Sequence, residues 1–541
     1  MLTRWTRLGT AFVVVLVAAV TLPYSFSGDI RYEVGVKEVS GHNAADTFTH
    51  RPLLYRLLSA AITAPAQALG SDVGEVEVIL RAECAALGLL AGLLLWTGLR
   101  HRIKADATPV ALVVAAALVL MGPQITLEPD WLAVVSTVLG LGAALALPNR
   151  TAAAVVGGTL LAAAAAIKVV TLPIALVGVV VLLLFDRRRA LATTVAAAAA
   201  GLGFVGAVLI WVPHEIGWLL DMRSVQPTTP PIGVTLGSSL ELLGNAATLW
   251  PAVALLPAAL VGAPHHLRAA ALGGAVLAWV PAQVQGQYFI YHLAALPVVT
   301  AAVLVLALRR APATFAVLTL GYTTWVAWVS STPPSFRSEH LSLLFTVTGV
   351  AALGFWVARL RQLPGLRVLG ETSADGPDEA AGSGPAVAAV VVASLAASTP
   401  FSAASISLQE TEQYNPVNRR DNTRTTGAAA DRVRTHIGAT TPVTYLTFGS
   451  YAYFLGNPTD CRYPSPVFLQ RGQPRNGLPP TRAWTEALTC ITDTPGDWLI
   501  WDTNWFKMRR QPAVVHDVIA RTFDCENAFE DGPTLACPRR R

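Results

Sequence analysis

The residues able to do chemistry gather in a few short stretches. Asp29 and Glu33 stand in Gly28-Asp29-Ile30-Arg31-Tyr32-Glu33. Asp46 follows, and then His50-Arg51-Pro52-Leu53-Leu54-Tyr55-Arg56. Glu128-Pro129-Asp130-Trp131 is a second acidic stretch, and Lys168 interrupts an apolar run on its own. Gln285, Gln287, Tyr288, Tyr291 and His292 form a third group, and Arg337, Glu339 and His340 a fourth. A carboxylate can remove a proton from a hydroxyl. Arg, Lys and His can hold an anion, more strongly where water is sparse. Acids and bases of these types suit a site with a cationic anchor for a lipid phosphate and a carboxylate for proton removal.

The elements that must position them are membrane spans. Charged residues make up 13% of the chain, against about 25% in ordinary soluble proteins. Apolar residues make up 53%, and the mean hydropathy is +0.50. This excludes a soluble globule, a disordered chain and a nucleic-acid-binding module. A spanning helix needs about 20 mostly apolar residues. Such runs lie near 9–27, 79–99, 108–123, 131–148, 152–167, 169–185, 190–212, 246–262, 269–284, 292–308, 312–330, 341–358 and 386–400. The reading is a polytopic α-helical membrane protein of about thirteen spans.

The net charge of +5 is distributed by side. Arg4 and Arg7 precede the first span and place the N-terminus in the cytosol. Alternation then puts 100–104, 149–150, 186–189, 265–268, Arg309-Arg310 and 359–361 on that same side, all of them basic. The candidate chemical residues fall on the outer side. An isolated charge at a membrane edge ordinarily marks a solvated helix end, and Lys168 could simply snorkel. An ionisable group in so short an apolar turn more often has a function.

The domain reading is a transmembrane module over 1–360 with a first external loop at 28–78. A Gly/Ser/Asp/Pro-rich cytosolic linker follows at 361–385, then a last span at 386–400 and an extracytoplasmic α/β domain at 401–541. Strand-like runs in that domain are Val443–Phe448, Pro466–Leu469 and Trp498–Trp501. Helix-like runs are Thr481–Leu488 and Pro512–Phe523. Trp501-Asp502-Thr503-Asn504-Trp505 reads as core or as a carbohydrate platform. Cys461, Cys490, Cys525 and Cys537 all lie in this domain and read as two disulfides. Three pairings are open, and the pairs nearest in sequence are 461 with 490 and 525 with 537. No CxxC pair signals zinc.

Gly201-Leu202-Gly203-Phe204-Val205-Gly206 fits a dinucleotide fingerprint but sits inside an apolar span, so it reads as close helix packing, as does Gly88/Gly92. His214-Glu215 lacks the second His of a zincin helix. No Walker loop or nucleophile elbow is present, so no nucleotide cofactor is expected.

Taken together, Gly28-Asp29, the His-Arg-Pro-Leu-Leu-Tyr stretch, Glu128-Pro129-Asp130, Ile167-Lys168 and 287–293 with Pro297 resemble a family pattern. The chain resembles the GT-C class of polytopic glycosyltransferases, which use polyprenyl-phosphate sugars, in particular the protein mannosyltransferase and aminoarabinose transferase group. It departs from that pattern in lacking an acidic doublet in the first loop and in carrying His-Arg-Pro where relatives often have Lys-Pro-Pro.

The resemblance implies transfer of a sugar from a polyprenyl-phosphate donor to a cell-envelope acceptor hydroxyl, at the outer face of a bacterial cytoplasmic membrane. Asp29 is then the general base. Lys168, His50, Arg51, Tyr291 and His292 are candidates for donor contacts, and Glu128, Asp130 and Glu33 for sugar or acceptor contacts. No cofactor is required. A divalent metal shared by Asp29, Glu128 and Asp130 is compatible with the sequence and not demanded by it. The competing expectation is a transporter or flippase of the polyprenyl-linked sugar, although polar groups gather at one face and no internal repeat is evident.

Overall fold

The computed structural model describes residues 26–121, 125–225, 232–286, 288–308, 313–361, 388–393, 416–471, 480–493 and 496–541, with scattered positions before 23 and Leu395. The span expected at 9–27, residues 362–385 of the linker, most of the span at 386–400, and Gln287 lie outside them.

The described chain is mostly helical. Its helices run α1 (Gly28–Val39), α2 (Leu53–Leu69), α3 (Val73–Leu99), α4 (Ala107–Leu120), α5 (Pro129–Ala146), α6 (Arg150–Ala166), α7 (Leu172–Phe185) and α8 (Arg187–Trp211). They continue with α9 (His214–Val225), α10 (Ile232–Leu249), α11 (His265–Gln285), α12 (Ala295–Leu308), α13 (Ala313–Ser331) and α14 (Leu341–Leu360). The C-terminal part runs α15 (Pro416–Ile437), β1 (Val443–Leu446), α16 (Gly449–Leu455), α17 (Val467–Arg471), α18 (Arg482–Asp493), β2 (Trp498–Asp502), α19 (Ala513–Thr522), β3 (Phe529–Asp531) and β4 (Thr534–Pro538). Five helices among the described residues are long and apolar enough to cross a membrane: α3, α5, α8, α11 and α14.

The chain divides into two compact units. One comprises residues 1–25, 81–202 and 230–419, the other 26–80, 203–229 and 420–541.

The first unit is a helical bundle. Close helix approach in a membrane depends on small residues, because apolar burial gives little preference between helix and lipid. A Cβ on Gly142 of α5 would sit 2.8 Å from the Leu94 carbonyl carbon of α3. One on Gly157 of α6 would sit 2.9 Å from the Gly140 carbonyl oxygen. Gly88 and Gly92 pack α3 against α4, since Cβ atoms there would meet Val119 and Ala115.

Two readings are corrected here. Among the described residues nothing lies within 4 Å of a Cβ on Gly201, Gly203 or Gly206, so no packing motif is seen there. Residues 246–262 do not form one span: α10 ends at Leu249, and two four-residue helical turns follow at Pro251–Ala254 and Leu256–Ala259. Pro251 and Pro257 remove the amide hydrogens that a continuous helix would need.

The second unit carries a four-stranded sheet in the order β1-β2-β4-β3. β1 and β2 are parallel, and the other two pairs are antiparallel. Helices α18 and α19 cover a core containing Trp484, Ile491, Leu499, Phe506, Val515 and Ile519. Cys461 is bonded to Cys490 and Cys525 to Cys537. The strand-like run Pro466–Leu469 is helical, as part of α17. Trp501 and Trp505 pack against the core, and the Trp501 indole donates to the Phe506 carbonyl at 2.9 Å.

Helix α1 crosses α16 at a distance that only glycine permits. A Cβ on Gly35 would lie 2.4 Å from the Tyr453 backbone nitrogen, and one on Gly449 would lie 2.2 Å from the Tyr32 ring. Gly35→Val therefore pushes α1 off α16, and its expected cost is about 1–3 kcal/mol by overpacking. A thermal midpoint equal to wild type would show that the crossing can widen freely.

Candidate functional site

The first unit holds a polar cluster built from the ends of four helical segments. Asp130 lies in the first turn of α5, behind Pro129 at its first position, where the helix dipole favours a carboxylate. It is fully buried, and so is His292. His292 Nδ1 is 3.2 Å from Asp130 Oδ2. Lys168 sits in extended conformation between α6 and α7, with its Nζ 3.7 Å from the same Asp130 oxygen. Gln285, the last residue of α11, accepts from Lys168 Nζ and brings its own amide nitrogen 3.0 Å from His292 Nδ1. Protonated at Nδ1, the imidazole donates to Asp130; bare there, it accepts from Gln285. Tyr291 lays its ring edgewise on His292, with centroids 4.2 Å apart. Trp131 donates to the Leu118 carbonyl at 2.8 Å and so pins the start of α5 to α4.

Glu128 is buried two residues ahead of Asp130 and occupies the N-cap position of α5. Leu127 before it has a φ of 70°. A branched residue in the left-handed region stores strain that persists only where the surroundings fix it, commonly near functional groups.

The second unit holds a carboxylate–guanidinium cluster. Ser27 caps α1 by accepting from the Ile30 amide at 3.2 Å. That starts the helix so that Asp29 and Glu33, four residues apart, share one face. Arg51 spans them. Its Nη2 is 3.0 Å from Asp29 Oδ2, and its Nε is 3.7 Å from Glu33 Oε1. The Asp29 side chain is 35% exposed and that of Glu33 1% exposed, so Asp29 is the member open to an incoming molecule. Thr49 donates to Glu33 Oε2 at 2.9 Å. Burial pushes the Glu33 carboxyl up to about 7 against the opposing pull of Arg51, Thr49, Lys37 and Arg56. Burial pushes the Lys37 ammonium down to about 8.

His50 stacks near Tyr32, with centroids 4.8 Å apart, and has a φ of 68°. This bend places Thr49 and Arg51 to either side of Glu33. Asp46 accepts from the Asn43 side chain at 2.8 Å within its own loop and lies 3.7 Å from His214 at the start of α9.

One residue that carries this cluster is absent from the sequence-based candidates. Glu215, at the start of α9, takes Arg56 Nη2 at 2.6 Å and the Leu53 amide at 2.8 Å. It thereby caps α2 from another helix. The remaining Arg56 donors reach the carbonyls of Ala44, Ala45 and Arg51. Among the described residues, no group of three or more His, Cys, Asp or Glu side chains converges to hold a metal ion.

The chain matches no family model and no curated protein. Among solved structures it is similar to ArnT from Cupriavidus metallidurans in the apo state, with a TM-score of 0.53 and 15% identity over 99% of this chain and 98% of that one. It is similar also to the same protein bound to undecaprenyl phosphate, with a TM-score of 0.52, 15% identity and the same coverage. Helical bundle and sheet-bearing unit thus belong to a chain with an ArnT-like fold.

Proposed function

We propose that this protein is a membrane glycosyltransferase of the bacterial cytoplasmic membrane. It moves a sugar from a polyprenyl-phosphate donor to an acceptor hydroxyl of the cell envelope on the outer face. The observation that carries this reading is the shape of the helical unit. Beyond the Asp130–Lys168–His292–Gln285 cluster, the same helices α5, α7, α11 and α12 line a cavity of about 170 Å³. Its walls are almost wholly aliphatic, among them Val134, Ile174, Ala271 and Val298, with Thr137 the polar exception. A polar cluster and an apolar chamber built on the same helices fit an amphiphile with a charged headgroup and a hydrocarbon tail. ArnT, which shares the fold, has a structure with undecaprenyl phosphate bound.

In this mechanism the acceptor hydroxyl attacks the anomeric carbon and passes its proton to Asp29. The bond from that carbon to the phosphate oxygen breaks, and the polyprenyl phosphate leaves. Lys168 and His292 stabilise its charge. Glu128, Asp130 and Tyr291 orient the sugar and its headgroup. A single displacement inverts the anomeric centre.

The test is transfer by purified protein from a labelled polyprenyl-phosphate sugar to a cell-envelope acceptor. Transfer without translocation supports the enzyme; translocation across vesicles without transfer shows a flippase instead. The cavity gives a second prediction. Ala271→Phe and Val298→Phe fill it and raise KM for a long-chain donor by about tenfold, the equivalent of ~1.4 kcal/mol. A short-chain donor is affected much less, so an equal effect on both would remove the cavity from tail binding.

A further inference from the structure

Glu33 is buried at 1% and cannot itself meet a substrate, yet it faces the pair that the proposed reaction uses. Asp29 and Glu33 flank a single guanidinium, and Arg51 does not serve them equally. Its Nη2 is at bonding distance from Asp29, while its Nε stands 3.7 Å from Glu33. The frame around them is fixed. Tyr32 donates to the Thr49 carbonyl at 2.6 Å, and Arg56 donates to the Arg51 carbonyl at 3.2 Å. The charge of Arg56 is already matched by Glu215 at 2.6 Å. The other groups acting on Glu33 are Lys37, one turn on in α1, and Thr49, which bonds its second oxygen. The side chain with a choice of partner is therefore that of Arg51.

We infer that Glu33 is a positioning residue that competes with Asp29 for Arg51 and so sets how tightly the base is held by its cation. Protonated, Glu33 leaves the guanidinium to Asp29. Ionised, it draws Arg51 toward itself and leaves Asp29 more basic and freer to take a proton. The buried Glu33 carboxyl lies near 7, so this exchange falls in the neutral range. The direction follows: the transfer rate rises with pH as Glu33 loses its proton. This rests on Asp29 being the base, but the sharing of Arg51 can be measured without any turnover.

The experiment is an infrared titration of the protonated-carboxyl band on the full chain in lipid nanodiscs, with pH profiles of transfer run alongside. Wild type shows a band titrating near pH 7, and Glu33→Gln lacks it. Arg51→Gln moves the inflection up by about one pH unit, and Asp29→Asn moves it down, because a neutral amide no longer competes as an anion for the Arg51 charge. In the variant carrying both Arg51→Gln and Asp29→Asn the shift caused by Asp29→Asn shrinks, as it must if the two carboxylates act through one shared guanidinium. A full-sized shift in the double variant, or no shift in Asp29→Asn, overturns the inference. Thr49→Val guards against misfolding of the Arg51 variants: losing its donated bond moves the inflection up, and an unmoved inflection counts against the clamp. In the transfer assay Glu33→Gln flattens the rise through neutral pH. If wild type transfers no sugar from any polyprenyl donor, the proposed function fails while the infrared titration still decides the sharing of Arg51.

Discussion

Replacing Asp29 by Asn lowers kcat/KM for sugar transfer by about 10²–10⁴, the range that a positioned general base contributes. The amide keeps the shape of the side chain, and its oxygen can still accept from Arg51 Nη2, now 3.0 Å from Asp29 Oδ2. What it cannot do is take a proton. Because the side chain is 35% exposed and the amide keeps its bond to Arg51, the protein should reach the membrane at wild-type levels. The comparison to make is Lys168→Gln. Removing that cation weakens the hold on the phosphate and raises donor KM along with any fall in kcat. Asp29→Asn instead lowers kcat with donor KM little changed, as expected for a group that acts only in the transition state. Asp29→Asn protein that transfers sugar at the wild-type rate would exclude Asp29 as the base.

Residues of both clusters stand out in the sequence for a simple physical reason. In a chain this apolar, every ion near a membrane is costly, so those that persist stand out. Lys168 and Asp130 were visible in that way, and each sits where its helix begins or breaks. Hydropathy located the five helices that, among the described residues, are long and apolar enough to cross a membrane. It failed at 246–262, because averaging hydropathy is blind to Pro251 and Pro257 inside the run. β3 and β4 went unread, being three and five residues long, with no alternation to mark an inner face.

Glu33 was visible as a charge, but its role was not, because burial decides that role. Glu215 was hidden altogether. It was weighed only as part of an incomplete zinc motif, and its partner Arg56 lies 159 positions away. Spacing rules report neighbours on one helix, and no local pattern encodes a contact closed across that separation. The strained backbone at His50 and Leu127 was equally silent, since neither residue type announces a positive φ.

The hidden pair carries the largest stability effect expected of a single change. Arg56 and Glu215 are 1% and 2% exposed, and their atoms meet at 2.6 Å. The guanidinium also lies over Phe48 and Trp218, 5.2 and 5.4 Å from their ring centroids. Breaking a buried pair by removing one partner costs about 3–5 kcal/mol, because the charge left behind stays buried. Arg56→Ala goes further, since it also frees the carbonyls of Ala44, Ala45 and Arg51. The expected result is a large fall in the apparent thermal midpoint of the solubilised protein, with transfer lost as Arg51 moves. Glu215→Leu destabilises comparably, by stranding the arginine and uncapping Leu53. The pair Arg56→Met with Glu215→Leu should be more stable than either single variant, because no unmatched charge then remains. Transfer stays low in that double variant all the same: Met cannot donate to the Arg51 carbonyl, so stability returns before the geometry around Asp29 does. Singles that cost less than about 1 kcal/mol would mean that water reaches the pair, which would then behave like a surface ion pair.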